Sequence, residues 1–399
     1  MNSKPNNDLD HTHEKGRLLS RREILGTMGV MGVAASLSST IFLPEYAKAS
    51  DAKETENIGK MMAKWKFVLA VTMDELRNIE SPKTDYIYFV SNPGQAGPFM
   101  YDSSDNSSTE DGGLVIVSKS GHRFKRLHDG NMNVRWFGAM GDGQTDDTLS
   151  IKKAIEAGSG KTIYFPPGVY RLTDTIEIPR NSFLKGSGNS SWFTFGQRRN
   201  EIPDSILDME NGTVLKFEGN GSVRYSSNRS DFQSLTCAVK MEKDADGIQI
   251  QDLKILSSFR IRDKAGNITT QLTDEHAMFD VGLWIDNGTH VKLERVSVVG
   301  YWQRAGCFVD ASGRLSASNE FGSVEYATVN DCLFQGKIGF ALLGGDEGNP
   351  PDETGFVPPA NDDDLSEGRF GLSHLFVSNS FFSGTDHHSN GFVSDWRDR

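Results

Sequence analysis

One pattern recurs four times in the second half of the chain, and it constrains the fold more than any other feature. Apolar or small residues stand at relative positions 0, 2, 5 and 7, with a small residue at 9. The copies are Ile248, Ile250, Leu253, Ile255 and Ser257; Val291, Leu293, Val296, Val298 and Gly300; Ala327, Val329, Cys332, Phe334 and Gly336; and Leu375, Val377, Ser380, Phe382 and Gly384. A spacing of two is the period of a strand with one buried face. The switch to three reads as a bend joining two short strands. It leaves a polar pair at each corner: Gln251-Asp252, Glu294-Arg295, Asn330-Asp331 and Ser378-Asn379. Such pairs let the chain turn and hydrogen-bond one repeat to the next.

A shorter pattern alternates with the first, from Ala238 to Glu242, Gly282 to Asp286, Gly306 to Asp310, Gly339 to Leu343 and Gly391 to Asp395. Together the two describe a three-sided coil whose stacked copies bury a continuous core. The tightest coil, from Gly282 to Gly306, takes 24 residues. The connection from short strand to bent pair lengthens from about four residues after Asp286 to sixteen after Asp310 and thirty-one after Leu343. Coils stack about 4.8 Å apart, so loops leaving at one corner build a wall beside a flat ladder. That arrangement is a groove suited to a linear polymer.

Upstream, residues 1–49 read as a twin-arginine signal peptide. Arg21-Arg22 precede a moderately apolar run, and Ala47-Lys48-Ala49 supplies a cleavage site after Ala49. A chain so marked is carried by the twin-arginine translocase, usually already folded, to the periplasm, the cell wall or the medium. The run holds too many small residues for a stable membrane span, and no other segment could cross a bilayer. Residues 50–64 read as a linker. Residues 65–130 read as a small preface segment of strands with one helix, in which SNPGQAGPFMYDSSDNSSTEDGG is a turn-rich loop by composition.

The remaining domain, 131–399, opens with Asn133-Val134-Arg135-Trp136-Phe137-Gly138-Ala139, then Gly141-Asp142-Gly143 and Thr145-Asp146-Asp147-Thr148. Leu149, Ile151, Ala154, Ile155 and Ala157 make one helix, with Thr145 or Asp146 as its N-cap. Short alternating strands follow in KTIYFPPGVYRL, DTIEIP and SFLKGSG. This order resembles the opening of the pectate-lyase-like superfamily, whose members include rhamnogalacturonase-like and epimerase-like enzymes and many phage tailspikes. The resemblance covers about residues 133–188. It implies an all-β fold, a single-stranded right-handed parallel β-helix capped by this block, with Asp142, Asp146 and Asp147 as turn and cap carboxylates. The segment around 65–130 resembles what precedes this block in tailspikes. Tailspike relatives trimerise, which leaves a trimer open, and they continue for several more coils. This chain stops at Asp395-Trp396-Arg397-Asp398-Arg399 and so reads as a product shortened at its C-terminus.

Lys and Arg number 42 against 54 Asp and Glu, a net charge of -12, and no basic stretch appears beyond the first fifty residues. A nucleic-acid partner bound through phosphates is therefore excluded. Cys237, Cys307 and Cys332 lie too far apart for a disulfide framework and lack CxxC spacing, so stability rests on packing.

The short strand ends in Glu242, Asp286, Asp310, Leu343 and Asp395, acidic in four coils of five. Asp286, Asp310 and Asp395 are the candidate catalytic carboxylates, the first two one coil apart. Carboxylates so close push one pKa up and give one proton donor and one base or nucleophile. A separation of about 5 Å suits a retaining glycosidase, and two coils approach the inverting range. Alternatively the column binds Ca2+ to neutralise a uronate, or it is a repeated turn-capping Asp. Trp302, just past a corner, is preferred over Trp284 and Trp396 as a sugar platform. His276, Asp386-His387-His388 and the acidic loop 344–368 are weaker candidates for acid, base or metal ligand. Polygalacturonase-like relatives carry Asn-Thr-Asp, Asp-Asp and Gly-His-Gly on successive coils, and none stands here in that form. Asn287 occupies the place of the His in the Trp-Ile-Asp-His of pectate lyases, so no catalytic residue carries over. The expected function is an exported lyase or glycoside hydrolase cleaving a bacterial or plant polysaccharide. The competing expectation is a non-catalytic glycan-binding adhesin derived from a tailspike.

Overall fold

The computed structural model describes residues 17–19, 67–188, 211–226, 234–260, 267, 278–311, 323–344, 371–384 and 390–396. The chain divides into two units, Met1–Asp129 and Gly130–Arg399.

The first unit holds strands β1 (Arg17–Leu19), β2 (Phe67–Val71), β3 (Tyr86–Val90), β4 (Gly97–Asp102), β5 (Val115–Val117) and β6 (Arg123–Arg126), with β-branched and aromatic residues concentrated in β2, β3 and β5. They lie in the order β1-β2-β3-β4-β6-β5. Helix α1 (Met73–Arg77) carries the chain from β2 to the parallel β3, and it starts at a capping box in which Thr72 and Glu75 bond reciprocally. Leu69, Val71, Leu76, Tyr88, Phe99 and Phe124 form the core. Strand β4 falls inside the segment whose composition reads as a loop. Burial of Phe99, fully enclosed between β3 and β6, outweighs the turn residues around it.

The second unit opens with the cap. Helix α2 (Thr148–Ala157) starts at Asp147, one residue later than the sequence suggests, and Asp146 still serves its first turn by accepting from the Thr148 N–H at 3.0 Å. Asp147, fully buried, accepts from the N–H groups of Met140 and Gly141 at 2.7 and 2.9 Å. Asp142 accepts from Gln144 and Thr145. These three carboxylates hold the turn together. Leu149, expected on the apolar face, is 65 % exposed, and Ile151, Ala154 and Ile155 supply the packing.

Beyond the cap the chain winds as a parallel β-helix. Ile250, Leu293, Val329 and Val377 pair across successive strands, and so do Ile255, Val298, Phe334 and Phe382. Ile248, Val291, Ala327 and Leu375 follow the same file: their carbonyls, for the first three, accept from Lys292, Thr328 and Phe376 one coil on, at 2.8–2.9 Å. The bend between the two legs is a single left-handed residue in each coil, Asp252, Arg295, Asp331 and Asn379, with φ of 59°, 51°, 54° and 48°. Corner side chains bond coil to coil: Arg295 donates to both oxygens of Asp252, and Ser378 Oγ donates to Asn330 Oδ1 at 2.6 Å.

The short strands make a second ladder, in which Val239, Leu283, Cys307, Phe340 and Phe392 are in register. A narrow further ladder, Ala245–Asp246, Gly288–Thr289, Ser323–Glu325 and Gly371–Ser373, adds a side that the apolar spacing does not reveal. Its strands are only two or three residues long, too short to leave a period. Among the described residues no helix is long and apolar enough to cross a membrane.

Candidate active site on the short-strand ladder

The strand ends stack as their spacing suggests. Asp286 pairs with Asp310, Asp310 with Leu343, and Leu343 with Asp395. Asp286 and Asp310 therefore stand on adjacent coils. Asp395 lies two coils beyond Asp310 with Leu343 between, and its side chain lies outside the described residues.

A second column runs two positions earlier on the same strands: Glu177, Lys240, Trp284 and Phe308. Because alternate residues of a strand share a face, Lys240 reaches the acidic column diagonally. Its ammonium donates to Asp286 Oδ2 at 2.7 Å and to the Met241 carbonyl at 3.2 Å. The side chains of Lys240 and Asp286 are 8 % and 13 % exposed, and Asp310 is buried. Burial pushes the Asp286 carboxyl above the usual carboxylate range, the Lys240 charge opposes the rise, and the Asp310 charge adds to it.

The same face carries an aromatic cover. The two-residue strand Arg224–Tyr225 pairs antiparallel with Leu235 and Thr236. It sets the Tyr225 ring beside Trp284, 6.3 Å between centroids at 68°, and over the Lys240 ammonium at 5.2 Å. The Tyr225 hydroxyl donates to Glu177 Oε1 at 2.6 Å. Leu235, Cys237, Val281, Trp284, Ala305, Phe308 and Ala341 pack into one buried cluster under this cover.

The expectation for Trp302 is overturned: its side chain is 2 % exposed and presents no face to a ligand. The glycine at position 282 explains why. A Cβ added at Gly282 would meet Trp302 Cε2 at 2.9 Å and Val298 Cγ1 at 2.5 Å, so the glycine makes room for the indole inside the coil. The described residues of the column do not fit the Ca2+ alternative either. Among the described residues no three His, Cys, Asp or Glu converge on a point where an ion could sit. Ca2+ asks for six to eight oxygens, whereas the Asp286 carboxylate already holds an ammonium. His276, Asp386-His387-His388 and the acidic loop from 345 to 368 lie outside the described residues.

Sequence reasoning missed Lys240, Tyr225 and Glu177. Lys240 left a trace, a lone cation in the apolar run Ala238 to Met241. Tyr225 left none, since its partners are 48 residues upstream and 59 downstream, at Glu177 and Trp284.

A parallel β-helix with an N-terminal cap helix and a carboxylate column at the strand ends of one ladder defines the class of protein. Residues 131–290 match the family model described as rhamnogalacturonase A/epimerase, pectate lyase-like, so this stretch of the chain is similar to the pectate-lyase-like superfamily. Residues 70–129 match the model of a phage tail protein small four-stranded β-sheet domain. A glucan 1,3-beta-glucosidase of Cochliobolus carbonum is 33 % identical over 122 residues, 28 % of this chain and 16 % of the relative. A mannuronan C5-epimerase of Azotobacter vinelandii is 38 % identical over 112 residues, 26 % of this chain and 5 % of the relative. The pre-neck appendage protein of Bacillus phage phi29 is 42 % identical over 57 residues, 14 % of this chain and 6 % of the relative. The chain thus spans well under two thirds of the length of these relatives. Among solved structures, a capsular polysaccharide depolymerase tailspike of an Acinetobacter baumannii bacteriophage aligns with TM-score 0.46 at 12 % identity, covering 69 % of this chain and 44 % of that one.

Proposed function

We propose that the protein acts on a polysaccharide outside the cytoplasm and hydrolyses its glycosidic bonds at Asp286 and Asp310. The observation that carries this reading is the register of the two carboxylates on adjacent coils. Backbones about 4.8 Å apart set them near the separation of about 5 Å used by retaining glycosidases. Asp286, with its raised pKa, is the proton donor to the glycosidic oxygen. As it gives up the proton, its new negative charge meets the Lys240 ammonium already 2.7 Å away, an interaction stronger in the transition state than before it. Asp310 attacks the anomeric carbon as the leaving sugar departs. Water, deprotonated by Asp286, then displaces Asp310 and restores both carboxyl groups. Relatives named as a glucan glucosidase and an alginate lyase support a polysaccharide as the substrate.

The test is incubation of the protein, cut after Ala49, with a polysaccharide panel, with and without Ca2+, followed for both reducing ends and unsaturated products. New reducing ends alone, abolished by Asp286→Asn and by Asp310→Asn, are expected. Unsaturated products overturn hydrolysis in favour of elimination, and turnover unchanged in both variants overturns the site.

One observation favours a second reading, a glycan-binding protein without catalysis: Asp310 is only 2 % exposed. Saturable glycan binding with no product of either kind supports that alternative. Export by the twin-arginine route is part of the proposal, and N-terminal sequencing of the secreted protein, expected to begin at Ser50, tests it.

A further inference from the structure

We infer that Tyr225 is the sugar-binding platform of this face and that the ring it receives is a neutral pyranose rather than a uronate. The inference deepens the proposed function and rests on the same face.

Tyr225 is placed for that task by three fixed contacts. Its short strand is paired to Leu235 and Thr236, its hydroxyl is held by Glu177, and its ring stands against Trp284. Glu177, Lys240 and Trp284 occupy one register position on three successive coils. A ring resting over them lies along the axis on which a polymer would run, within about 10 Å of the Asp286 strand end. Trp284 and Trp302 are fully enclosed, whereas Tyr225 is half-buried, so among the described residues the aromatic surface offered to solvent beside the acid pair is that of Tyr225. Lys240 takes one side of the ring. The C–H face of a pyranose stacks on the other, as apolar sugar surface does on a rigid aromatic.

The charge of the face selects the sugar. Glu177 is exposed at the rim of the platform, and Asp286 and Asp310 follow on the same ladder. The Lys240 cation is bound to Asp286. A uronate carboxylate would meet Glu177 and Asp310 there with the Lys240 ammonium held by Asp286, whereas the hydroxyls of a neutral sugar can donate to Glu177.

The experiment is isothermal titration of the full chain carrying Asp310→Asn, which stops turnover, with a β-1,3-glucan hexasaccharide and with a hexamannuronate. Saturable binding of the glucan is expected, weakened about tenfold or more by Tyr225→Ala and kept within about threefold by Tyr225→Phe, which retains the ring and loses the bond to Glu177. Equal affinity in Tyr225→Ala, equal losses in the Ala and Phe variants, or no saturable binding of either oligosaccharide overturns the platform. Tighter binding of the mannuronate overturns the neutral assignment. Binding is read apart from turnover. Glucan binding lost in Tyr225→Ala, with no products in the panel, keeps the platform and removes hydrolysis. Turnover with glucan binding indifferent to Tyr225 does the reverse.

Discussion

Lys240 and Asp286 meet across two adjacent coils, 2.7 Å from Nζ to Oδ2, with both side chains nearly withdrawn from water. Removing one partner of such a pair strands the other, at a cost on the order of 3–5 kcal/mol. Lys240→Met keeps most of the stem and is expected to lose that much stability in urea unfolding. The loss should depend on pH. Burial raises the Asp286 carboxyl above its unfolded value, so its contribution is fully present below the ordinary carboxylate range and is lost as pH rises through the folded value. Without the ammonium the folded value climbs further. The variant should therefore be penalised more at pH 8 than at pH 5, and an equal penalty at both would mean that only packing of the stem was lost.

The left-handed corner residues predict a second pair of variants. Asp331 sits at φ 54° and accepts from its neighbour Asn330 at 2.9 Å. A β-branched residue there crowds Cβ against the following carbonyl, while glycine does not. Asp331→Val should cost about 1–2 kcal/mol more than Asp331→Gly, since both lose the bond to Asn330. Chemical denaturation of the two variants measures the difference. Similar midpoints would mean that the bend does not depend on this conformation.

These corners show why so much of the fold was legible. A strand that buries one face repeats every second residue, and only a turn of the backbone can make the interval three. The positions 0, 2, 5 and 7 thus encode Asp252, Arg295, Asp331 and Asn379 as bends before any coordinate is known. Stacking then puts Asp286 opposite Asp310. Trp302 was misjudged because its position past the last apolar residue says nothing of the space left by Gly282, which belongs to a different side of the coil. Strand β4 was hidden by the turn residues on both sides of Phe99. Lys240 and Tyr225 were illegible as a site because their contacts are made between coils: the partners Asp286 and Glu177 lie 46 and 48 residues away. Register predicts which backbones adjoin, not which side chains lean diagonally to meet.

The three cysteines make a prediction about reactivity. Cys237, Cys307 and Cys332 are free and buried. Burial pushes all three thiols up, Cys332 to about 12. Thiolate is the reactive form, so none should react with a disulfide reagent such as DTNB in the native protein at pH 8, and three should react in denaturant. Rapid modification of the native protein would show that the coils open locally around these residues.

Strand β1 connects the small sheet to the proposed export signal. Arg17, Leu18 and Leu19 pair antiparallel with Ala70, Leu69 and Val68 of β2, immediately before the segment carrying Arg21-Arg22. In the order β1-β2-β3-β4-β6-β5, β1 is all that separates β2 from the edge. Cleavage after Ala49 would take β1 away and leave the β2 backbone groups that faced it without partners. An unpaired edge exchanges its amides faster and can accept another strand. Amide exchange across residues 68–70 should therefore be slower in the full chain than in a chain beginning at Ser50, while β3 and β4 stay unchanged between the two. Leu18→Pro in the full chain, which removes one N–H from β1, should move exchange towards the shorter form. Identical exchange in all three proteins would mean that β1 does not hold the edge in solution.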